Sequence, residues 1–142
     1  MIPIFRDNMK KVITFGVFDL LHKGHVILFE KAKKCGDYLI VAVQDNESVL
    51  KYKPEANLYY TCEERKYMVQ SIKFVDEVVV YKDVDKDIKN IDFDVFFKGE
   101  DQNHAGFKRA EEWCKDNGKE VVIGSRTQGI SSTMLRGIKD MK

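Results

Sequence analysis

Apolar residues occur along this chain in short continuous runs, separated by amphipathic and polar stretches. Continuous runs rich in Val, Ile and Phe are typical of strands covered on both faces, and they predict five strands: 11–15, 38–43, 74–80 (after an initial turn), 94–97 and 120–123. The stretches between them predict helices at 26–34, 61–73, 83–90 and 103–117. This alternation predicts a single-domain α/β fold, a doubly wound (Rossmann-like) five-stranded parallel sheet with helices on both faces.

Several helix ends carry their own signals. Thr61-Cys-Glu-Glu64 fits a capping box, so Thr61 is predicted to begin the second of these helices. Gly36 and Gly118 are predicted to end the helices that precede them. The polar segment 44–60 is interpreted as a short helix followed by a mobile loop. In the helix that begins at Thr61, the residues expected to be buried are Tyr67, Met68 and Ile72.

Length and charge narrow the class of protein. With 142 residues and a formal net charge of +1, the chain fits one domain and gives no indication of nucleic-acid binding. Residues 1–10 are interpreted as an N-terminal extension and 11–142 as the domain. No apolar run has the length of a membrane span and no secretory signal is recognised, so we expect a cytoplasmic protein without membrane attachment. The three cysteines are far apart, which favours free thiols, and no metal site is predicted from protein side chains.

The stretch 12–25 carries the strongest indication of chemistry. A β-prone run ends at Gly16, a short turn follows, and His22 and His25 open the first helix. Unpaired N–H groups and the helix dipole make such a helix start an anion site. Residues at i and i+3 share a helix face, so both imidazoles can donate to phosphate oxygens. Either histidine alone fits a surface or capping role equally well, but the pair around one glycine favours a phosphate site.

Two motifs extend this interpretation. Gly16-Val-Phe-Asp-Leu-Leu-His-Lys-Gly-His25 resembles the HxGH signature of the nucleotidyltransferase superfamily that includes the cytidylyltransferases. Arg126-Thr-Gln-Gly-Ile-Ser-Ser-Thr133 resembles its second motif, RTxGISTT. The resemblance covers nearly the whole chain and is strongest to the single-domain glycerol-3-phosphate cytidylyltransferases. The chain departs from the family pattern at Val17 and Ser132, where relatives commonly carry Thr.

The resemblance implies a reaction in which a phosphomonoester attacks the α-phosphorus of CTP and displaces pyrophosphate, for the synthesis of surface-polymer precursors. Glycerol 3-phosphate is the first candidate for the acceptor. Catalytic roles are implied for His22, His25, Arg126 and a lysine of segment 44–60. Lys51 and Lys53 both fit that last role, and Lys53 is preferred. The resemblance further implies magnesium, bound mainly through the triphosphate, and a homodimer.

The resemblance also implies two sets of binding residues. Nucleotide contacts are expected from Phe15, Gly16, Val17, Phe18, Gly24, Gly99, Glu100, Asp101, Arg126, Thr127, Gly129, Ile130, Ser131 and Ser132. Acceptor or phosphate contacts are expected from Asp19, Lys51, Arg65 and Asp76. A cation in the first turns of a helix is unfavourable for the dipole, which suggests that Arg65 serves an anion. A plain surface arginine is the competing interpretation for Arg65, and a turn or cap is the competing interpretation for Asp76.

Three alternatives stay open at this stage. Phosphoethanolamine, phosphocholine or a phosphorylated capsule precursor also fits as acceptor. The base is inferred from the resemblance, because ATP-using members share HxGH. A non-catalytic nucleotide-binding module needs the same pocket without the chemistry. Every version requires the helix starts at His25 and Ser131 to face one crevice, with both histidines close to Arg126.

Overall fold

The computed structural model describes residues 9–125, in which strands and helices alternate. The strands are β1 (Lys11–Gly16), β2 (Tyr38–Gln44), β3 (Glu77–Tyr81), β4 (Val95–Gly99) and β5 (Glu120–Gly124). The helices are α1 (Lys23–Lys33), α2 (Asn46–Tyr52), α3 (Cys62–Gln70), α4 (Val84–Asp87), which continues as a 3-10 turn at Ile88–Asn90, and α5 (Ala105–Asp116). Each predicted strand is confirmed, and α2 is the short helix predicted in segment 44–60. None of the helices in this range is long and apolar enough to cross a membrane.

The strands of residues 9–125 form one parallel sheet in the order β3-β2-β1-β4-β5. The chain moves outward from β1 through β2 to β3, crosses back to β4 and continues to β5. The connections after β1 and β4 therefore leave the sheet in opposite directions. Such a topological switch point is where open parallel sheets bind their ligands, at the C-terminal ends of the strands. Segments 17–22 and 100–104 follow these two strands, so both predicted motif regions within the described residues lie at this edge.

Both faces of the sheet are covered. Ile13 and Phe15 of β1 belong to a buried cluster with Phe107 of α5, whereas Val12 belongs to a second cluster with Phe29 of α1. Successive strand residues point to opposite faces, so the continuous apolar run of β1 supplies both clusters. The doubly wound α/β arrangement predicted from the sequence is confirmed.

Helix α3 differs from its prediction in length and in orientation. Its capping box is confirmed, because Thr61 Oγ1 accepts from the N–H of Glu64 at 3.1 Å and the N–H of Thr61 donates to Glu64 Oε1 at 2.9 Å. The helix ends at Gln70 rather than Lys73. Its buried residues are Arg65 and Val69, and Tyr67 is 70% exposed. The expected burial of Tyr67 is wrong, because Arg65 and Val69 form the side of the helix that faces the sheet.

The two glycines expected to end helices act differently. Gly118 has φ of +72°, the left-handed conformation that favours glycine after a helix, and so ends the α5 segment as predicted. Gly36 lacks this conformation, and α1 is capped by Lys34 in the right-handed region. A Cβ on Gly36 would lie 2.5 Å from the carbonyl oxygen of Lys10. Gly36 is therefore required for close approach of two backbone segments rather than for a positive φ.

Candidate active site

His22 and His25 cap the first turn of α1 reciprocally. His22 Nδ1 accepts a hydrogen bond from the N–H of Gly24 at 3.0 Å, and His25 Nδ1 accepts from the N–H of His22 at 3.2 Å. The two rings stack with centroids 3.9 Å apart and planes inclined by 28°. The prediction that both imidazoles lie on one helix face is confirmed, and α1 begins at Lys23 rather than Val26.

These caps determine where each neutral ring carries its proton. A nitrogen that accepts a hydrogen bond carries no proton, so the proton of each neutral imidazole is on Nε2. Burial, followed by the charge of His22, lowers the pKa of His25 to about 3. At neutral pH, His25 is therefore an uncharged hydrogen-bond donor rather than a cation.

The same caps correct one expectation about the anion site. The N–H of Gly24 donates to His22 Nδ1, and the N–H of His25 donates to the carbonyl of His22 at 3.0 Å. The sequence predicts unpaired N–H groups in this first turn, but these two are paired. The N–H of Gly24 is therefore not available to a nucleotide. The imidazoles of His22 and His25 can offer their Nε2–H groups to a phosphate, with the helix dipole behind them.

Phe18 holds the His25 ring in place. Its ring meets His25 edge-on with centroids 5.3 Å apart and packs against Phe29 at 5.1 Å. The backbone of Phe18 is in the left-handed region, with φ of 57°. A Cβ on Gly16 would lie 2.6 Å from Phe18 Cζ, which explains the glycine at the end of β1. The Phe18 side chain is thus buried in the core, and its predicted nucleotide contact can come only from the backbone.

Asp19 joins the segment after β1 to the loop that carries Lys53. Its buried carboxylate accepts from the backbone N–H groups of Tyr59 at 2.8 Å and Tyr60 at 3.1 Å. The loop 53–60, predicted to be mobile, is therefore anchored at its C-terminal end. In this structure Asp19 acts on the loop backbone, and its predicted acceptor contact stays a prediction.

Arg65 lies behind the histidine segment and has no exposed surface. Its Nη1 donates to the carbonyls of Val17 at 2.9 Å and Gln44 at 2.8 Å, and its Nη2 donates to Asn46 Oδ1. Burial lowers the pKa of the guanidinium from its ordinary value. The surface interpretation of Arg65 is wrong. A direct phosphate contact is also contradicted in this conformation, because the side chain instead connects the ends of β1, β2 and α2.

Lys51 and Lys53 are both exposed near the end of α2. Lys51 Nζ lies 5.5 Å from the ring centroid of Tyr52. Burial, and then the charges of Lys53 and Arg109, lower the pKa of His104, the residue that caps α5. The charge of Lys53 therefore acts on the helix that follows β4, beside the switch point. This position supports the preference for Lys53, and its catalytic role stays a prediction.

The turn after β4 faces the histidine segment across the switch point. Gly99 is buried, and the N–H of Glu100 donates to the carbonyl of Gly124 at 3.0 Å. Glu100 and Asp101 are exposed at this edge, where the predicted base or ribose contacts require them. Sequence reasoning missed Gln102, whose side chain contacts both β1 and β4. A single polar residue in a polar turn carries no pattern that indicates such a contact.

Asp76 lies at the opposite edge of the sheet. It precedes β3, and its Oδ2 accepts from the N–H of Leu39, near the start of β2, at 2.8 Å. The same oxygen pairs with Lys33 Nζ at 2.5 Å, at the end of α1. The prediction that Asp76 lies near the active site of its own chain is wrong, because a parallel sheet separates its N-terminal and C-terminal edges by the full length of its strands.

The second motif falls outside residues 9–125. The predicted contributions of Arg126, Thr127, Gly129, Ile130, Ser131 and Ser132 therefore lie beyond the described residues. The required proximity of the histidines to Arg126 stays a prediction for the same reason.

The described residues contain no cluster of side chains that could ligate a metal ion. Within 9–125, no three His, Cys, Asp or Glu side chains come close enough together to hold a metal ion. Asp19, the carboxylate nearest in sequence to the histidines, binds backbone N–H groups. Imidazole N–H donors suit phosphate oxygens, whereas Mg²⁺ binds oxygen ligands and substrate phosphates. The magnesium ion that the resemblance implies stays a prediction.

Comparisons with known proteins agree with this chemistry. A family model described as "Cytidylyltransferase-like" matches residues 13–138. The chain is 42% identical to the glycerol-3-phosphate cytidylyltransferase of Bacillus subtilis (strain 168), over 90% of this chain and 95% of that protein. It is 40% identical to the protein of the same name from Staphylococcus aureus (strain NCTC 8325 / PS 47), over 90% and 93%. A crystal structure of the lipopolysaccharide core biosynthesis protein from Thermoplasma volcanium GSS1 has a TM-score of 0.68 at 24% identity, over 84% of this chain and 98% of that chain, which supports the fold.

Proposed function

Since this chain belongs to the cytidylyltransferase-like family, we propose that it transfers a CMP group from CTP to glycerol 3-phosphate and releases pyrophosphate. Two bacterial relatives of that name align with it over nearly their whole length. The observation that carries the proposal is the stacked His22–His25 pair at the switch point of the sheet. The product, a cytidine diphosphate ester of glycerol, is an activated unit of the kind used to build surface polymers such as teichoic acid.

The chemistry requires positioning more than proton transfer. A phosphate oxygen of the acceptor forms a bond to the α-phosphorus of CTP, and the bond from that phosphorus to the bridging oxygen of the leaving pyrophosphate breaks. The acceptor phosphate is largely dianionic at neutral pH, because its second pKa is about 6, so no general base is needed. In our proposal, the Nε2–H groups of His22 and His25 donate to the α-phosphate and to the bridging oxygen, where negative charge develops.

The remaining charge would be neutralised by cations around the crevice. We assign Lys53 and Arg126 to the leaving pyrophosphate, with hydroxyl and N–H groups of residues 127–132 holding the rest of the triphosphate. A magnesium ion bound to the phosphates would neutralise part of their charge. The proposal further includes a homodimer in the cytoplasm. Glu100 and Asp101 are assigned to the nucleoside, because they follow β4 on the far side of the crevice.

A pyrophosphate-release assay tests the function. The purified chain is incubated with magnesium and each of CTP, ATP, GTP and UTP, in combination with glycerol 3-phosphate, phosphoethanolamine or phosphocholine. We expect release with CTP and glycerol 3-phosphate to exceed every other pair by at least tenfold. Release with a different acceptor or nucleotide would overturn the substrate assignment, and no release with any pair would favour a non-catalytic binding module.

A further inference from the structure

The backbone pairing between β1 and β4 is short. β1 pairs with β2 along its whole length, from Lys11 opposite Tyr38 to Gly16 opposite Val43. Its pairing with β4 comprises only Val12 opposite Val95 and Ile13 opposite Phe96. The two strands are therefore no longer paired backbone to backbone before they reach the C-terminal edge, and this is where the candidate active site lies.

The side chain of Gln102 spans this gap. Its Nε2 donates to the carbonyl of Phe15 at 2.7 Å, and its Oε1 accepts from the N–H of Gly99 at 3.0 Å. The N–H of Gln102 also donates to the carbonyl of Gly99 at 3.1 Å, which closes the turn after β4. One amide thus provides the acceptor that one strand requires and the donor that the other requires.

The chemistry of these contacts determines the orientation of the amide. A carbonyl can only accept and an N–H can only donate, so exchanging the oxygen and nitrogen of Gln102 would break both bonds. Among the side chains of similar length, methionine offers neither group, and glutamate offers the acceptor but, when ionised, lacks the donor. Glutamine is therefore the side chain of this length that satisfies both strands.

Each strand end connected by Gln102 leads directly into one half of the candidate site. Phe15 precedes the segment that carries His22 and His25, and Gly99 precedes Glu100 and Asp101. We propose that Gln102 is a positioning residue for CTP: its amide sets the separation of β1 and β4 and so aligns the phosphate-binding and nucleoside-binding halves of the site. This inference rests on the proposed function.

The proposal distinguishes binding of CTP from stability of the fold. A nucleotide that contacts both halves is sensitive to their spacing, because displacement of a contact by about 1 Å can cost two orders of magnitude in rate. The acceptor contacts that stay predicted, Asp19 and Lys51, follow β1 and β2 and so lie on the phosphate side of the site. Loss of the amide should therefore raise the KM for CTP much more than the KM for glycerol 3-phosphate, in protein that is still fully folded.

Gln102→Met tests this directly, with Asn103→Met as the matched control. Asn103 bonds to the Glu100 carbonyl at 2.5 Å and to Lys98 Nζ at 3.2 Å, contacts that stay within β4 and the turn after it and do not reach β1. KM values for both substrates and equilibrium binding of CTP are measured well below the melting temperature of each variant. We expect at least a tenfold rise in the KM and Kd for CTP in Gln102→Met, less than a threefold change for the acceptor, and a change below threefold in Asn103→Met.

Gln102→Glu adds a readout that loss of stability does not produce. An ionised carboxylate presents an oxygen to the Phe15 carbonyl, whereas a protonated one can donate to it as the amide does. The Kd for CTP of Gln102→Glu, divided by that of the parent at each pH, should therefore decrease as the pH falls from 8 toward 5. The same ratio for Gln102→Met should not decrease. Tight CTP binding by Gln102→Met, or no pH-dependent recovery in Gln102→Glu, would overturn the inference.

The two proposals fail in different ways. If the parent binds CTP but releases no pyrophosphate with any acceptor, the proposed reaction is wrong, and the positioning role is still decided by the CTP affinities of the variants. If the parent binds no CTP, both proposals are wrong. If the parent is active and Gln102→Met keeps the parental KM for CTP, only the role of Gln102 is refuted.

Discussion

Replacing Arg65 by methionine should destabilise the fold strongly, although methionine fills a similar volume. The substitution leaves the carbonyls of Val17 and Gln44 and the amide oxygen of Asn46 without their donor. A buried acceptor that loses its partner costs roughly 1–3 kcal/mol, and relief from burying a guanidinium offsets part of that cost. We therefore expect the free energy of unfolding to fall by about 2–5 kcal/mol, a large share of the stability of an ordinary domain.

Urea unfolding followed by far-ultraviolet circular dichroism measures this change. For a mid-range slope of about 2 kcal/mol per molar, the midpoint of Arg65→Met should lie roughly 1–2.5 M below that of the parent. Arg109→Met is the matched control, because it removes the same charge from an exposed side chain that pairs with Asp85 at 2.8 Å. Its midpoint should stay within experimental error of the parent. Equal midpoints for Arg65→Met and the parent would refute the argument that this arginine holds the strand ends together.

Further predictions concern the histidines and the thiols. His22→Ala and His25→Ala should each lower kcat by on the order of a hundredfold or more, because each removes a donor to the reacting phosphate. His104→Ala removes a cap from α5 that is similar to the His22 cap, and this control should keep most of the activity. The folded-state pKa of His25, about 3, lies below its unfolded value of 6.5, so the unfolded chain binds the extra proton. Stability should therefore decline as the pH falls from 6.5 toward 3, by up to about 1.4 kcal/mol per unit, and urea midpoints of His25→Gln should show a smaller decline. Burial raises the pKa of the thiols of Cys35, Cys62 and Cys114. A thiol reagent at pH 7 should therefore react with the native protein far more slowly than with glutathione. Rapid reaction of the native protein would contradict this.

The strands and the histidine segment could be predicted because local patterns determine them. The run at β1 is continuous and apolar, and a strand covered on both faces needs nothing else. The spacing of His22 and His25 places them on one face of any helix that begins there, and the structure confirms this. The exact first residue of α1 could not be predicted, because histidine is not among the usual N-cap residues.

Other features depend on contacts between distant parts of the chain. Arg65 satisfies carbonyls at the ends of β1 and β2, and no pattern in its own helix indicates that an arginine will face inward. The apolar part of Tyr67 suggests burial, yet the residues that meet the sheet are its neighbours Arg65 and Val69. Asp76 was assigned by a family motif, whereas its position is determined by Leu39 and Lys33 at the far edge of the sheet.

The reciprocal capping of α1 has a consequence for which residues can occupy its two histidine positions. Serine, threonine, aspartate or asparagine would begin this helix at least as well, since short side chains with an oxygen are the favoured N-caps. Only asparagine among them also carries a nitrogen donor, and its short side chain keeps that nitrogen close to the backbone, whereas the imidazole ring separates its Nε2–H from the Nδ1 that accepts the cap. A requirement for helix stability alone would therefore not retain two histidines here. A substitution that preserves the cap still removes the imidazole Nε2–H, so activity and folding constrain these two positions in different ways.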